Sequence, residues 1–391
     1  MSPDSTTKPF QRKAGFSNIG RMGLITQALF WVILAVIANA VLKFYVALDT
    51  NKRQYNHAPG RCRLVSGIRD GSEDIELLPD GTALISSGLR YLNVSESKGV
   101  VGKIFLFEFA KTEEDKEKDP VATELKIVSK TLDFKGFNPH GIATFTDNKG
   151  QVYLYVINHH PDGDAIERFN FDKERKSLTH TKTIKHPLIF TANNLVMTGL
   201  DKFYVTNDHY FKNEYLFKVE MFTLAALGNI VYYDGTDARI VDQWLLSPNG
   251  INADKARKQL YVSLIWAKTL RVYDIQKDNN ITFKKDVKTH TSTDNLFVDH
   301  ATGDIWSGAH PILHEALNYI EHPKTHKAPS QVVRIRLAKR QGEDDYIAEA
   351  YSNDGSILSG TSAAVLYKNQ ILIGTVFQKL LLCDILAPEL I

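Results

Sequence analysis

Beyond residue 60 the apolar positions of this chain fall in short runs separated by Gly, Asp and Asn, and stretches with helical spacing are scarce. Runs of about four to eight residues punctuated by turn formers predict β-strands. One unit recurs: a polar residue or two, a short apolar strand, a tight turn and a second apolar strand. It reads EDIELLPDGTALISSG from Glu73, HGIATFTDNKGQVYLYVIN from His140 and NNLVMTGLDKFYVTND from Asn193. It returns as NGINADKARKQLYVSLI from Asn249, DNLFVDHATGDIWSG from Asp294 and SAAVLYKNQILIGTVF from Ser362. Six units at intervals of roughly 45 to 70 residues predict an all-β, six-bladed β-propeller with variable outer strands.

The first 60 residues follow another pattern. Residues 23–42 carry no charge, and about 20 such residues suffice to cross a ~30 Å hydrocarbon core. The expected organisation is a short basic segment (1–22), a transmembrane or signal-anchor helix (23–46), a linker (47–61) and a propeller catalytic domain (62–391). Lys8, Arg12, Lys13 and Arg21 precede the apolar run, and Lys52, Arg53 and Arg61 follow it. That small excess favours the N-terminus inside. A cleaved signal peptide competes, because Ala38-Asn39-Ala40 has the form of a cleavage site. The apolar run exceeds the ~7–15 residues usual for such a peptide. The expectation is a membrane-anchored protein with its propeller in the secretory lumen or outside the cell, a secreted form being the alternative.

Composition changes the picture little. Apolar residues at 43%, charged residues at 24% and a net charge of +2 describe an ordinary globular chain with no nucleic-acid footprint. Asn93-Val94-Ser95 and Asn280-Ile281-Thr282 are N-glycosylation sequons. The two cysteines, Cys62 and Cys383, stand at opposite ends of the propeller region. They could be buried thiols. A disulfide joining first and last strands suits a fold that must close its ring in an oxidising compartment, and a loop this long would gain roughly 5 kcal/mol in the loop-entropy estimate.

In a propeller the starts of the innermost strands converge on the central channel. The residues opening the units should therefore meet, and most supply oxygen: Glu73, Asp74, Asn193, Asn194, Asn249, Asp294 and Asn295. A single Asn before a strand is most often a turn residue bonding its own backbone. The same choice in four of six units points instead to a hard cation. Glu73, Asn193, Asn249, Asp294 and Asn295 suit calcium, which takes about 6–8 oxygens, and make a poor zinc site. The second unit opens on His140 and ends on His159, with the hairpin turn midway. Such a pair can be structural, but at the channel mouth one imidazole can take a proton from water while the other orients it. The same midpoint rule pairs Asn193 with Asp208 and Asp294 with His310.

These strings resemble the serum paraoxonase/arylesterase family. GSEDIELLPDG, ISSGLRY, FNPHGIATF, VINH, TNDHYF, PNGIN, DNLFVD, TGDIWSGAHP and ILIGTVF occur in the family's order across about residues 62–385. The resemblance implies a catalytic calcium on Glu73, Asn193, Asn249, Asp294 and Asn295, and a structural calcium on Asp74, the Ile142 carbonyl and position 194. It makes His140 the general base beside His159, and places Tyr91 and Val376 in the substrate pocket. One departure matters: Asn194 stands where the family usually has Asp, removing a charge from the second calcium site. Together with the ring and the histidines, the resemblance leads to an expected calcium-dependent hydrolase of lactones and aryl esters. No Gly-x-Ser-x-Gly elbow suggests a serine hydrolase. The alternatives are a non-catalytic, calcium-stabilised binding module on a membrane tether, and a sugar-lactonase-like propeller enzyme.

Overall fold

The computed structural model describes residues 23–91, 99–114, 118–338, 340 and 342–386. Asn93 lies outside them. Six sheets stand in sequence around a ring. Each predicted unit forms the two innermost strands of a blade: Ile75–Leu77 with Thr82–Ser87, Pro139–Thr146 with Val152–His160, Ala192–Gly199 with Lys202–Asn207, Pro248–Asp254 with Gln259–Leu264, Ser292–Val298 with Ile305–His310, and Thr361–Tyr367 with Gln370–Thr375. We number the blades one to six in that order. Blade two gains an extra outer strand, Lys126–Val128, parallel to its neighbour Ser177–Ile184.

The burial of each strand follows from its distance to the axis. Thr82–Ser87 is buried at every position, because neighbouring blades cover both its faces. The outer strand Ile281–Lys288 is mostly exposed and carries three lysines, Lys284, Lys285 and Lys288. The apolar core is divided among the seams between consecutive blades. Leu84 and Leu106 of blade one meet Leu154 and Val156 of blade two, while Val332 of blade five meets Ile371 and Ile373 of blade six. With the apolar burial in the seams, polar groups can occupy the axis.

The ring closes between its two ends. Cys62–Val65 forms the outer strand of blade six, pairing antiparallel with Leu380–Asp384 and setting Cys62 opposite Cys383. These cysteines form the disulfide, across 321 residues of chain. Replacing both by Ser should cost about 2–4 kcal/mol, mainly by freeing the unfolded chain. Denaturant unfolding without reductant checks this, and an unchanged midpoint would show that the strand pairing alone closes the ring. Asn280 is exposed at the turn before Ile281–Lys288.

Helix Leu24–Ala47 is long and apolar enough to cross a membrane and has none of its apolar span buried. Its C-terminal end docks on the propeller. Phe44 packs on Phe222 and Trp266, with ring centroids 5.2 and 5.9 Å apart. Lys268 donates to the Ala47 carbonyl at 3.0 Å and to Asp49 at 2.5 Å. Beyond it the chain runs along blade five, where His57 and Ser352 exchange backbone hydrogen bonds.

Candidate functional site

The inner strands of five blades share an irregularity. Ladder register shifts between Pro139 and Ile142, Ala192 and Leu195, Pro248 and Ile251, Thr293 and Leu296, and Thr361 and Ala363. Such bulges re-aim side chains and bend the strand. Here they fall at His140, Asn193, Asn194, Asn249, Asp294 and Asn295, freeing those side chains from the up-and-down alternation. Two glycines allow the close approach. A Cβ on Gly141 would lie 2.5 Å from the Asn193 carbonyl oxygen, and one on Gly250 would lie 2.3 Å from that of Asp294.

Blades one, three and five are not neighbours around the ring, yet their side chains touch, which only the axis permits. Asn295 Nδ2 donates to both the carbonyl and Oε1 of Glu73, each at 2.9 Å. Asn194 Nδ2 donates to Asn295 Oδ1 at 2.5 Å and to Asp74 Oδ2 at 3.2 Å. The Ser362 hydroxyl of blade six donates to the Glu73 carbonyl at 2.6 Å. All of the ring residues are buried.

Two sets of polar groups at the axis differ in how their oxygens are used. In the first, Glu73 Oε2, Asn193 Oδ1 and Asn249 Oδ1 are buried without a hydrogen-bond partner. A buried oxygen left without a partner costs about 1–3 kcal/mol, and three such oxygens on three blades are donors of the kind a hard cation takes. Among the described residues no cluster of three or more His, Cys, Asp or Glu could hold a metal. The ring draws instead on amide oxygens, as calcium sites do. In the second, Asp74 Oδ1 accepts from Ile75 N at 2.9 Å, and Oδ2 accepts from Ile142 N at 2.8 Å and from the Asn194 amide. Asn194 turns its own oxygen to Leu195 N, 2.6 Å away. N–H groups thus engage both Asp74 oxygens, and with Asn194 in place of Asp this set offers a second calcium one charge less.

The two histidines are joined. His140 Nδ1 lies 2.8 Å from His159 Nε2, and His140 Nε2 lies 3.3 Å from Glu73 Oε1. Burial alone would lower the His140 pKa, but the Glu73 carboxylate, with Asp208 and Asp294 behind it, raises it to about 9. Burial and the Glu73 charge push Asp74 well above the usual carboxyl value. Burial also raises Asp294, against the pull of His310.

The other sequence-predicted residues gather around the same point. Asn193 Nδ2 donates to Asp208 Oδ2 at 3.4 Å, and His310 Nε2 lies 2.9 Å from Asp294 Oδ2. Burial works to raise the Asp208 pKa, but the adjacent His209, bonded to it, holds it below the usual range. Tyr91 packs edge-on against Phe377 at 5.6 Å, next to the buried Val376. Its hydroxyl is pushed up by burial and by the charges of Glu73, Asp294 and Asp208.

A profile of the arylesterase family matches residues 48–385, the span that carries every one of these groups. The chain belongs to the arylesterase family. It is 37% identical to serum paraoxonase/arylesterase 2 of Gallus gallus over 363 residues, covering 93% of this chain and 99% of that protein. It is 38% identical to serum paraoxonase/lactonase 3 of Oryctolagus cuniculus over 361 residues, covering 92% and 99%. A solved luciferin-regenerating enzyme shares the fold at a TM-score of 0.51 and 8% identity, covering 84% of this chain and 96% of that one.

Sequence reasoning missed two residues of this family member's site. Asn138 accepts from His159 N through its carbonyl at 3.0 Å and from Arg90 N through its side chain at 2.7 Å, tying the Tyr91 loop to the histidines. Asp164 Oδ1 lies 3.0 Å from His159 Nδ1. The signal for Asp164 was present. Pro161-Asp162-Gly163 turns the chain, and the midpoint rule applied there pairs His159 with Asp164, as the ladder does.

Proposed function

We propose that the chain is a calcium-dependent hydrolase of lactones and aryl esters acting at the mouth of the propeller axis. One observation carries this reading: Glu73, which with Asn193 and Asn249 has a buried, unpartnered oxygen, lies beside His140, which is joined to His159. Relatives named for arylesterase and lactonase activity give the substrate class.

Calcium held by Glu73, Asn193, Asn249, Asp294 and Asn295 would polarise a substrate carbonyl and offset the charge of a developing oxyanion. The chain's own residues supply the rest. His140 takes a proton from water at Nε2 as the water oxygen attacks the carbonyl carbon. His159 holds His140 through Nδ1 and steadies the resulting imidazolium. When the ester C–O bond breaks, His140 returns the proton to the departing oxygen. Tyr91, Val376, Asp208 and His310 line the pocket around the reacting carbon. Lactones lead, because opening a ring needs no leaving group to depart. Helix Leu24–Ala47 acts as an uncleaved anchor, a reading supported by the docking of Phe44 and Asp49 on the propeller. The disulfide suits a lumenal or extracellular propeller.

The test is turnover of a panel of lactones and aryl esters by the full chain in detergent, with calcium, after metal removal and after calcium is restored. Turnover should fall at least about 100-fold on removal and return with calcium, and a calcium titration should give one site per chain. Turnover indifferent to metal removal would sink the calcium role. A chain that binds calcium but hydrolyses nothing would favour the non-catalytic binding module.

A further inference from the structure

The contact between Asp164 and His159 has a consequence for the proton positions of the whole histidine pair. Asp164 sits on strand Gly163–Asp172 directly across from His159, with a largely buried side chain. Both of its oxygens are used. Oδ1 faces His159 Nδ1 at 3.0 Å, and Oδ2 accepts from the backbone N–H of Ala192 at 2.9 Å. Ala192 immediately precedes Asn193, which contributes one of the unpartnered ring oxygens.

We infer that Asp164 is the positioning residue that fixes the tautomers of His159 and His140, so that the free lone pair of the pair points at the cation ring. An ionised carboxylate only accepts, so the proton of a neutral His159 must sit on Nδ1. His159 Nε2 is then an acceptor and takes the hydrogen bond from His140, whose proton must sit on Nδ1. The pair itself then puts no proton on His140 Nε2, which lies 3.3 Å from Glu73 Oε1; once a cation in the ring neutralises Glu73, that nitrogen is left with its lone pair, where the proposed reaction needs a base. A carboxylate that orients one imidazole against another group is the logic of catalytic triads, carried here one ring further.

The inference rests on the hydrolase reading for its kinetic effect but not for its geometry. Asp164→Asn is the informative change because the backbone N–H of Ala192 can only donate. The single amide oxygen then goes to Ala192, and the amide NH2 faces His159 Nδ1. His159 must move its proton to Nε2, and His140 in turn to its own Nε2, which closes the lone pair. With the full chain in detergent, kcat for a lactone should fall about 100-fold or more, by analogy with triads put in the wrong tautomer. KM and calcium affinity should stay within about threefold, since the Ala192 bond survives, and Asp164→Glu should restore most of kcat. Nitrogen-15 chemical shifts of labelled histidine, with the His159 signal assigned from a His159→Gln protein, should show Nδ1 protonated in the parent and Nε2 protonated in Asp164→Asn.

A kcat within threefold of the parent, or a loss of kcat that follows a loss of calcium affinity, would overturn the inference. So would a parent His159 protonated on Nε2. If the parent hydrolyses no lactone or ester, the hydrolase reading fails, and the nitrogen shifts alone decide for or against the role of Asp164.

Discussion

A His140→Gln protein should hydrolyse lactones about 10³-fold more slowly than its parent while binding calcium at least as tightly. Glutamine keeps a polar group of similar reach beside Glu73 and His159 but cannot take a proton from water. Positioned general bases contribute about 10²–10⁴-fold, and 10³ corresponds to about 4 kcal/mol of transition-state stabilisation. The calcium side of the expectation comes from Glu73. With its pKa raised to about 9, His140 is cationic at neutral pH unless a metal occupies the ring, and Glu73 is the group that holds that charge. A neutral Gln removes the competing cation without removing a ring oxygen. Initial rates on a lactone and an aryl ester, together with a calcium titration, check both halves. Unchanged, calcium-dependent turnover would take the base role from His140 and leave the metal role standing.

The repeat was legible because the innermost hairpin is the one part of a blade whose pattern is dictated from both sides. Its strands are covered by neighbouring blades and must be apolar, and its ends must turn. All six units beginning at Glu73, His140, Asn193, Asn249, Asp294 and Ser362 form inner hairpins. The sixth has no ring oxygen at its start, and Ser362 instead braces the Glu73 carbonyl. Midpoint pairing brought Asn193 to Asp208 and Asp294 to His310, because a hairpin's register follows from its turn. It brought His140 near His159 for a less direct reason. The ladder pairs Pro139 with Asn158 and shifts before Ile142, so the rings meet diagonally across a bulge.

What stayed hidden depends on contacts with no local pattern. Lys126–Val128 joins blade two as a parallel outer strand, where one exposed face leaves only a weak apolar signature. The direction of the Asn194 amide is set by Asp74 and Asn295 from two other blades. The sequence could show that a charge was missing at position 194. It could not show that an N–H now points where the charge had been. The six seams explain why the axis is legible as chemistry at all: apolar packing is completed between blades, so polar residues at the strand starts are free to serve the channel.

Adding calcium to the metal-free protein should raise its unfolding midpoint, and the rise should grow as pH increases from about 5 to 9. Without the cation the axis favours bound protons. Asp74 and Asp294 have raised pKa values, chiefly from burial. The unfolded chain gives up such protons first, near the ordinary carboxyl value of about 3.9, so folded stability declines as pH climbs from there through the folded values. His140 acts in the same direction. Its contribution is complete below the ordinary histidine value of about 6.5 and is lost as pH rises through about 9. Calcium competes with these protons for Glu73 and its neighbours, and metal sites bind more tightly as their ligands deprotonate. A thousandfold excess over Kd adds about 4 kcal/mol to the folded state. Thermal unfolding with and without calcium at pH 5, 7 and 9 measures the trend. A midpoint difference that does not change with pH would mean that calcium binds away from these acids and His140. Glu73→Gln should shrink the calcium effect at every pH, because it removes the carboxylate whose second oxygen has no partner in the folded chain.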